Sequence, residues 1–282
     1  MGLLEQKIAI VTGAGHGIGR ATALLLAKEG ARLVVNDVGG ARDGTGDGKE
    51  AAAEVVEAIR AAGGQAVASH DSVATRDGAR AIVKTALDAF GGLDVLVNNA
   101  GIVRDKTLLK MDQAMWDAVI SVHLNGTFFC LQAAAEVMKD KGTRGSIINT
   151  TSVSGLLGNF GQSNYSAAKA GIYGLTRTAS IELQRYGIRV NALAPIAKTR
   201  MTEDLPMFEK IEGTLTPEHV APAHLYLASE LSEDVSGVVL AVAGARISVY
   251  KVVESAGKYK ESDGGVWTAQ EIAEHFDTLS KI

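Results

Sequence analysis

The chain has 282 residues, of which 46% are hydrophobic and 21% are charged, and its formal net charge at neutral pH is −4. This length and apolar content predict one large α/β domain with a sizeable core. The charges are interleaved and show no basic stripe, so we expect neither nucleic acid nor an anionic membrane as the main partner.

The first predicted strand, residues 7–11, runs directly into a glycine-rich turn, Thr12-Gly-Ala-Gly-His-Gly-Ile-Gly19. A helical pattern opens at Arg20. Strand, turn and helix together predict a pyrophosphate site, because glycines let the backbone approach the phosphates and a helix N-terminus supplies N–H groups. A tight turn without a ligand is the alternative. The inner face of this helix is predicted to carry Ala21, Leu24, Leu25 and Ala27.

The second strand, residues 32–36, ends at Asp37, which follows the glycine turn by about 20 residues, the spacing of a ribose-binding acidic group. A carboxylate here accepts hydrogen bonds from an adenosine ribose and repels a 2′-phosphate, so NAD is favoured over NADP. A solvated turn aspartate is the alternative. Residues 38–48 are too glycine-rich for a helix or strand and predict a long loop beside the adenine end of the cofactor.

Helices and strands continue to alternate over residues 49–62, 65–69, 75–90 and 93–97, which predicts a Rossmann-type, doubly wound parallel sheet with helices on both faces. Asn98-Asn-Ala-Gly101 closes the fourth strand at the carboxyl edge, where ligands of such sheets bind. Residues 112–139 predict a long helix that contains the single cysteine, Cys130, at a buried position. The spacing of its larger apolar residues indicates core positions for Trp116, Ile120, Phe128 and Leu131.

The stretch from Asn149 to Lys169 carries the predicted chemistry. Tyr165 and Lys169 are four residues apart and share one face of a helix, and Ser152 ends the strand that faces them. We expect the lysine cation to lower the pKa of the phenol from its ordinary value of ~10, so Tyr165 is the predicted acid and base. Taken alone, a Tyr-x-x-x-Lys pair is more often structural.

The remaining chain predicts a strand at residues 189–193 that ends at Pro195, then a mobile flap at residues 196–216 over nicotinamide and substrate. A helix at residues 216–229 and a last strand at residues 238–242 follow. Residues 1–245 therefore form the predicted catalytic domain, and residues 246–282 form an extension that covers the pocket or a neighbouring subunit. Within the extension, Thr268-Ala-Gln-Glu271 is a capping box that predicts a short helix.

Four separated motifs resemble those of the short-chain dehydrogenase/reductase superfamily: the glycine turn, Asn98 to Gly101, Ser152 with Tyr165-x-x-x-Lys169, and Pro195 with Thr199. The resemblance covers about residues 7–245. It implies that Tyr165 is the catalytic acid and base, that Lys169 is its partner and a ligand of the nicotinamide ribose, and that Ser152 orients the substrate oxygen. The expected cofactor contacts are Gly13, Gly15, His16, Gly17, Ile18, Gly19, Asp37, Asp71, Ser72, Asn98, Ala100, Gly101, Tyr165, Lys169, Pro195, Ile196 and Thr199.

Two positions depart from the pattern of the superfamily. His123 stands where most members have an asparagine that holds a water of the proton relay, and Asn125 is not in register with that place. An imidazole can donate and accept hydrogen bonds, so His123 is a candidate catalytic residue, with a packing histidine as the alternative. Ile196 follows the proline where glycine is usual, so the backbone over the nicotinamide is expected to differ.

More closely, the chain is similar to the dehydrogenase part of the peroxisomal multifunctional enzyme of β-oxidation and to its bacterial relatives, some of which act on steroid side chains. The shared features are Asn36 to Gly40 with the insertion after it, His123, Gly158 to Gln162, and Arg200-Met-Thr202. This resemblance implies NAD-dependent oxidation of a (3R)-hydroxyacyl-CoA by a homo-oligomer, a tetramer or dimer. The alternatives are an NAD-dependent hydroxysteroid or secondary-alcohol dehydrogenase and an inactive cofactor-binding protein.

The sequence predicts no metal, because the six histidines show no ligand-spaced cluster with carboxylates and one cysteine cannot form a Cys-based site. No stretch reaches the ~18 to 20 apolar residues of a membrane span. The N-terminal Met1 to Gln6 lacks a myristoylation signal and the C-terminal Ser280-Lys-Ile282 is no peroxisomal signal, so we expect a cytoplasmic protein.

Overall fold

The computed structural model describes residues 2–46, 48, 50–199, 215–260 and 265–281. The chain divides into two compact units, Met1–Val249 and Tyr250–Ile282. The strands are β1 (Ile8–Thr12), β2 (Arg32–Asn36), β3 (Gln65–Ser69), β4 (Val95–Asn98), β5 (Ser146–Thr150), β6 (Arg189–Ile196), β7 (Val239–Ala243) and β8 (Arg246–Tyr250). The helices are α1 (Gly17–Lys28), α2 (Glu50–Ala61), α3 (Arg76–Phe90), α4 (Gln113–Ile120), α5 (Gly126–Asp140), α6 (Val153–Leu157), α7 (Ser163–Leu183), α8 (Ala221–Ala228) and α9 (Ala269–Leu279).

In the described part of the chain, the strands form one sheet in the order β3-β2-β1-β4-β5-β6-β7-β8. Every pairing from β3 across to β7 is parallel. The chain moves outward from β1 to β3 and then returns to place β4 beside β1, so the strand order reverses between these two strands. Ligands of doubly wound sheets bind in the crevice at the carboxyl ends of such a pair. The predicted Rossmann-type fold is confirmed.

Helices cover both faces of the sheet. Neighbouring strand residues point to opposite faces, so Ile10 packs in one apolar layer and Val11 in the other. The layer that contains Val11 is completed by α1, α2 and α8, and the layer that contains Ile10 is completed by α3, α5 and α7. Parallel strands covered on both faces need continuous apolar runs, and β1, with the sequence Ile-Ala-Ile-Val-Thr, is fully buried.

The helix that follows the glycine turn, α1, begins at Gly17, three residues before the predicted start. Of the predicted inner-face residues, Leu24, Leu25 and Ala27 are partly buried and pack against the apolar layer. The helix is most deeply buried through other residues. Its buried residues are Gly19, Thr22, Ala23 and Leu26, a spacing that places them on one helical face. Gly19 fixes this orientation, because a Cβ atom on it would lie 2.1 Å from the Gly13 carbonyl oxygen. The close approach of the helix to the glycine turn thus selects the face.

Helices α4 and α5 form one continuous helix, Gln113–Asp140, with a single wider π turn at Ser121–Asn125. By length and composition it could cross a membrane, but half of its most apolar window is buried inside the fold. Cys130 and Leu131 are buried as predicted, with exposed fractions of 0% and 6%. The prediction for Trp116 is wrong, since 37% of this residue is exposed.

The end of the chain differs most from prediction. Strand β6 continues to Ile196, three residues past the predicted end, and β8 was not predicted. A turn of two residues joins β7 to β8, and a connection this short suits antiparallel strands. In the second unit, the capping box of Thr268 and Glu271 begins α9, as predicted. Most of the predicted flap, residues 200–214, lies outside the described residues.

Candidate active site

The glycine turn forms one wall of a cleft at the carboxyl ends of β1 and β4. Gly13 and Gly17 have positive φ angles of 62° and 52°, which side-chain-bearing residues rarely adopt. A Cβ atom on Gly13 would lie 2.7 Å from the Ala100 Cα atom, so the turn packs tightly against the segment after β4. Helix α1 begins at Gly17, and Gly17 and Ile18 line the cleft, so the N-terminal end of the helix faces it.

The cleft contains a cavity of about 270 Å³. It combines the N-terminal end of a helix with glycines and the carboxylate of Asp37, the donor and acceptor set that a dinucleotide requires. The residues present therefore fit a nicotinamide dinucleotide. Nine of the predicted cofactor residues line this cavity: Gly13, His16, Gly17, Ile18, Asp37, Ser72, Ala100, Gly101 and Thr199.

Asp37 is held at the end of β2 by backbone donors. Its Oδ2 atom accepts a hydrogen bond of 2.8 Å from Gly15 N–H, and its Oδ1 atom accepts one of 2.7 Å from Gly39 N–H. Each carboxylate oxygen keeps a second lone pair for a ligand hydroxyl. Gly15 is thus a support for Asp37, and a Cβ atom on it would lie 2.8 Å from Oδ2.

Other predicted cofactor residues do not line the cavity. The side chain of Asn98 is buried and donates to Asn149 Oδ1 at 3.0 Å, so it ties β4 to β5. Asp71 accepts a hydrogen bond from the Ser69 hydroxyl at 3.2 Å. Gly19 packs against the glycine turn, and Pro195 and Ile196 lie on β6, paired with Val242 and Ala243 of β7.

Asn99 lines the cavity, although it was not among the predicted contacts. Its Nδ2 atom donates to the carbonyl oxygens of Thr12 and Gly13, each at 3.0 Å. The Thr12 hydroxyl in turn accepts from the N–H groups of Asn99 and Ala100, each at 3.1 Å. These bonds clamp the glycine turn to the end of β4. The position of Asn99 in the Asn98 to Gly101 motif was the sequence signal that could have identified it.

The structure brings Ser152, Tyr165 and Lys169 together. Ser152 follows β5 and is the N-cap of α6, where its Oγ atom accepts from Ser154 N–H at 3.2 Å. The Ser152 side chain also lies within hydrogen-bonding reach of the phenol of Tyr165. Lys169 lies one turn further along α7, and its Nζ atom is 5.5 Å from the centroid of the Tyr165 ring. The strand end and the helix face thus converge as predicted.

The pKa values at this site differ from the expected ones. Burial raises the pKa of Tyr165 to about 12, the Ser152 hydrogen bond opposes that rise, and the charge of Asp105 adds to it. Burial also lowers the pKa of Lys169 to about 7. The expected lowering of the phenol pKa by Lys169 is therefore not found, because burial disfavours the charged forms of both groups. The Lys169 ammonium donates to the Thr150 carbonyl oxygen at 2.6 Å.

His123 lies in the π turn and packs edge-on against Tyr165, with 5.2 Å between the ring centroids. Its Nε2 atom is 2.8 Å from the carbonyl oxygen of Ile102 and 3.0 Å from the N–H of the same residue, so either neutral tautomer makes one backbone bond. Burial, reinforced by the charge of Lys169, lowers its pKa to about 3. Among the described residues, its buried Nδ1 atom has no hydrogen-bond partner.

A further set of residues holds the loop before Tyr165, and sequence reasoning missed it. Gln162 Nε2 donates to Asp105 Oδ2 at 2.8 Å, and Asn164 Nδ2 donates to the Arg104 carbonyl oxygen at 3.0 Å. Asn164 Oδ1 accepts from the N–H of Tyr165 at 2.7 Å. The first two pairs are separated by 57 and 60 residues, so no local pattern could show them.

In the described ranges, no group of three or more His, Cys, Asp or Glu residues could hold a metal.

Comparisons with known proteins show what this chain is similar to. A family model described as short chain dehydrogenase matches residues 7–210. A short-chain type dehydrogenase/reductase of Mycobacterium tuberculosis is 52% identical over 244 residues, which are 86% of this chain and 84% of that protein. A crystal structure of a short chain dehydrogenase from Mycobacterium avium is 45% identical, has a TM-score of 0.86, and covers 99% of this chain and 96% of that one.

Three further relatives are a peroxisomal enzyme and two enzymes whose names state a reaction. Peroxisomal multifunctional enzyme type 2 of Drosophila melanogaster is 46% identical over 88% of this chain, which spans 41% of the length of that protein. A hydroxyacyl-CoA dehydrogenase of Mycobacterium tuberculosis is 40% identical over 95% of this chain and 87% of its own length. A 3-oxoacyl-[acyl-carrier-protein] reductase of Synechocystis is 45% identical over 82% of this chain and 92% of its own length.

Proposed function

Because this chain belongs to the short chain dehydrogenase family, we propose that it is an NAD-dependent enzyme that oxidises the 3-hydroxyl group of a (3R)-hydroxyacyl-CoA to a ketone. The observation that carries the proposal is the convergence of Ser152, Tyr165 and Lys169 beside a cleft that begins at the glycine turn and Asp37. The name of the hydroxyacyl-CoA dehydrogenase relative favours an acyl-CoA substrate.

In this mechanism Ser152 and Tyr165 bind the substrate hydroxyl group. Tyr165 takes the hydroxyl proton while the hydride leaves the carbon that bears this hydroxyl group. A nicotinamide cofactor held at this site would supply the hydride acceptor, and its oxidised ring would carry a positive charge near the phenol before the transfer. Lys169 keeps its pKa near neutrality and lies one turn from Tyr165, so it can pass a proton onward. The buried Nδ1 atom of His123, whose ring packs edge-on against Tyr165, is the proposed holder of a water in this relay.

Asp37 is the basis for proposing NAD. Gly15 and Gly39 fix its carboxylate at the edge of the cavity. A ribose 2′-hydroxyl can donate to this carboxylate, whereas a 2′-phosphate would meet a like charge, which costs several kcal/mol at a close contact. Lys169 and Tyr165 would hold the nicotinamide ribose, as expected from the resemblance.

Exposed apolar residues near the catalytic loops support an acyl substrate. Leu157 and Phe160 lie between Ser152 and Tyr165 in sequence and are 78% and 89% exposed. A backbone bond from Lys106 N–H to the Gly161 carbonyl oxygen, of 2.8 Å, joins their loop to the segment after β4. Leu108 and Leu109 follow in that segment and are 70% and 98% exposed. Apolar side chains exposed on adjoining loops beside a catalytic site are suited to contact an acyl chain.

Two other functions have support. The reductase relative favours reduction of a 3-oxoacyl group carried on a protein, which uses the same proton donor in the opposite direction. A hydroxysteroid or secondary alcohol would fit the same Ser152, Tyr165 and Lys169 arrangement, since a fold does not determine a substrate. The cytoplasmic location and the assembly as a dimer or tetramer are proposals of the same kind.

The test is a panel of alcohols assayed with NAD and with NADP. It contains (3R)-hydroxybutyryl-CoA, its 3S isomer, the free acid, the same acyl group on an acyl carrier protein, and a ring hydroxysteroid. We expect the highest kcat/KM for the 3R acyl-CoA with NAD. A higher value for the carrier-protein substrate or for the steroid would contradict the proposed substrate, and no turnover of any alcohol would contradict an enzymatic role.

A further inference from the structure

A continuous set of contacts joins the adenosine side of the cavity to the loop before Tyr165. Its centre is residues 102–106, which we call the bridging segment. On one side it meets the glycine-rich loop of residues 38–48, which we call the insert. The N–H of Val103 donates to the Arg42 carbonyl oxygen at 3.1 Å, and Arg104 Nε donates to the Asp43 carbonyl oxygen at 2.9 Å.

On its other side the bridging segment holds the catalytic loop. The Arg104 carbonyl oxygen accepts from Asn164, whose Oδ1 atom accepts from the N–H of Tyr165. Asp105 accepts from Gln162, and the Lys106 N–H donates to Gly161. One residue, Arg104, therefore bonds the insert through its side chain and the catalytic helix through its backbone.

The insert also forms part of the cofactor cavity. Val38, Gly40, Ala41, Arg42 and Gly44 line it, and Gly39 donates to the Asp37 carboxylate. A ligand that fills the adenosine side must therefore contact the insert. When a ligand favours one arrangement of the insert, it also favours one arrangement of the segments that are hydrogen-bonded to the insert. The coupling is reciprocal, so a ligand on the substrate side strengthens binding on the adenosine side by the same factor.

We propose that Arg104 is a positioning residue that couples the adenosine half of the dinucleotide to the substrate side of the site. Through the Asp43 and Asn164 contacts, occupation of the adenosine side strengthens binding of the acyl-CoA. The identity of the acyl-CoA in this statement rests on the proposed function, whereas the link from the insert to Tyr165 does not.

Two glycines of the insert provide a matched pair of variants. Gly44 and Gly46 have similar positive φ angles, 83° and 79°, so alanine strains the backbone to a similar degree at each. A Cβ atom on Gly44 would lie 3.2 Å from Ile102 Cγ2, whereas a Cβ atom on Gly46 meets nothing within 4 Å. Gly44→Ala therefore disturbs the contact with the bridging segment, and Gly46→Ala controls for strain alone. Arg104→Lys keeps the charge and removes the Nε–H donor.

The first measurement is calorimetric binding of acetoacetyl-CoA with and without saturating ADP-ribose, which contains the adenosine half and no nicotinamide. We expect ADP-ribose to lower the Kd of acetoacetyl-CoA by ~5-fold or more in the wild type and in Gly46→Ala, the lower end of usual couplings between sites. In Gly44→Ala and Arg104→Lys, the fold-change in Kd caused by ADP-ribose should be less than half of the wild-type fold-change. An equal Kd with and without ADP-ribose in the wild type would overturn the coupling, as would identical behaviour of the two alanine variants.

The second measurement is hydrogen exchange of the Lys106 and Tyr165 amides, which needs no substrate. The Lys106 amide donates to the Gly161 carbonyl oxygen across the loop contact. The Tyr165 amide donates to Asn164 Oδ1, and the Nδ2 atom of the same Asn164 side chain donates to the Arg104 carbonyl oxygen. Ordering of the loop contact therefore slows the exchange of both amides. We expect ADP-ribose to slow exchange in the wild type and Gly46→Ala, and not in Gly44→Ala or Arg104→Lys. If acetoacetyl-CoA does not bind at all, the proposed substrate fails and exchange alone decides the coupling. Unchanged exchange in the wild type overturns it.

Discussion

At the scale of single residues, burial rather than charge pairing sets the properties of the catalytic groups. Tyr165 has a raised pKa and Lys169 a lowered one, and each shift disfavours the charged form of its group. In the free enzyme the phenol is thus protonated at neutral pH, ready to donate a proton. Oxidation needs the phenolate, and its fraction grows as the pH rises toward the raised pKa.

The first prediction concerns Tyr165→Phe. Removing the phenolic hydroxyl removes the proton acceptor, so kcat should fall by ~10² or more, the usual range for general acid–base groups. Stopped-flow or steady-state production of NADH measures this, and NAD binding followed by calorimetry should persist. For the wild type, kcat/KM for oxidation should rise above neutral pH. Near-normal turnover in the variant would contradict the role of Tyr165.

The second prediction concerns Asp37→Ala. The carboxylate is held by two backbone N–H groups and faces the cavity, so the wild type should prefer NAD to NADP strongly. The variant should narrow that preference mainly by weakening NAD binding, because it loses a bond to the ribose. The ratio of kcat/KM values for the two cofactors is the measurement. Equal kcat/KM values for NAD and NADP in the wild type would contradict the assignment of NAD.

At the scale of elements, the π turn in the long helix places His123 against Tyr165 and the bridging segment. The His123 ring packs directly against Gly101. Any residue larger than glycine at position 101 would clash with it, since a Cβ atom there would lie 2.4 Å from the His123 Cε1 atom. The π turn is thus built into the site, as such turns often are. Burial lowers the pKa of His123 to about 3, so the ring is neutral at physiological pH.

The third prediction follows from this placement. His123→Asn keeps a group that can donate and accept, and should retain much of the activity, whereas His123→Ala should lose more. Neither substitution should move a pH inflection between pH 5 and pH 8, because the pKa of about 3 lies below that range. Comparison of kcat–pH profiles for the three proteins is the test. Full activity in the alanine variant would indicate a packing role.

A second buried histidine joins two helices. In α8, His224 is fully buried, and its Nδ1 atom lies 3.0 Å from the hydroxyl of Thr22 in α1. Burial lowers its pKa from 6.5 to about 3. Between these values the unfolded chain binds a proton that the folded chain does not, so the free energy of unfolding falls as the pH falls through this range.

The fourth prediction is that His224→Gln reduces this acid sensitivity. A change in pKa corresponds to ~1.4 kcal/mol per unit, so the wild type should lose a few kcal/mol between neutral and mildly acidic pH from this residue. At about pH 7 the variant should have a lower Tm than the wild type. At about pH 4.5 the difference in Tm between the two proteins should be smaller. His275→Gln, on α9, is the control. Parallel Tm–pH curves for His224→Gln and the wild type would contradict the prediction.

At the scale of the molecule, the strand reversal between β1 and β4 brings the cofactor cleft, the bridging segment and the catalytic helix to one edge of the sheet. Cationic side chains of the same edge include Arg104, which is partly buried, and Lys106 and Lys110, which are exposed. Lys198 follows β6 and is exposed as well, while Arg200 and Lys210 lie outside the described residues. These groups are the proposed contacts for the phosphates of CoA.

The fifth prediction uses salt to test these contacts. A 3-hydroxyacyl-CoA should be oxidised much more efficiently than the same acid without CoA, partly through kcat, because remote binding energy contributes to the rate. That advantage should shrink as salt rises, since exposed charges are screened over ~10 Å at 0.1 M. The ratio of kcat/KM values at low and high ionic strength measures it. A ratio independent of salt would exclude an electrostatic contact with CoA.

The sequence by itself determined the fold class and most strand positions. Residues 32–36 and 146–150 coincide with β2 and β5, which contain apolar runs because strands covered on both faces need apolar side chains on each face. Residues 65–69 coincide with the edge strand β3. It also determined the catalytic candidates, since Tyr165 and Lys169 share a helix face by spacing alone.

Only the tertiary structure decided what surrounds those candidates. The pKa values of Tyr165 and Lys169 depend on burial by elements distant in sequence. The inner face of α1 was set by the approach of Gly19 to the glycine turn, and the Gln162–Asp105 contact joins residues 57 positions apart. Periodicity records which residues are apolar along one element, whereas burial and hydrogen bonding depend on which elements meet.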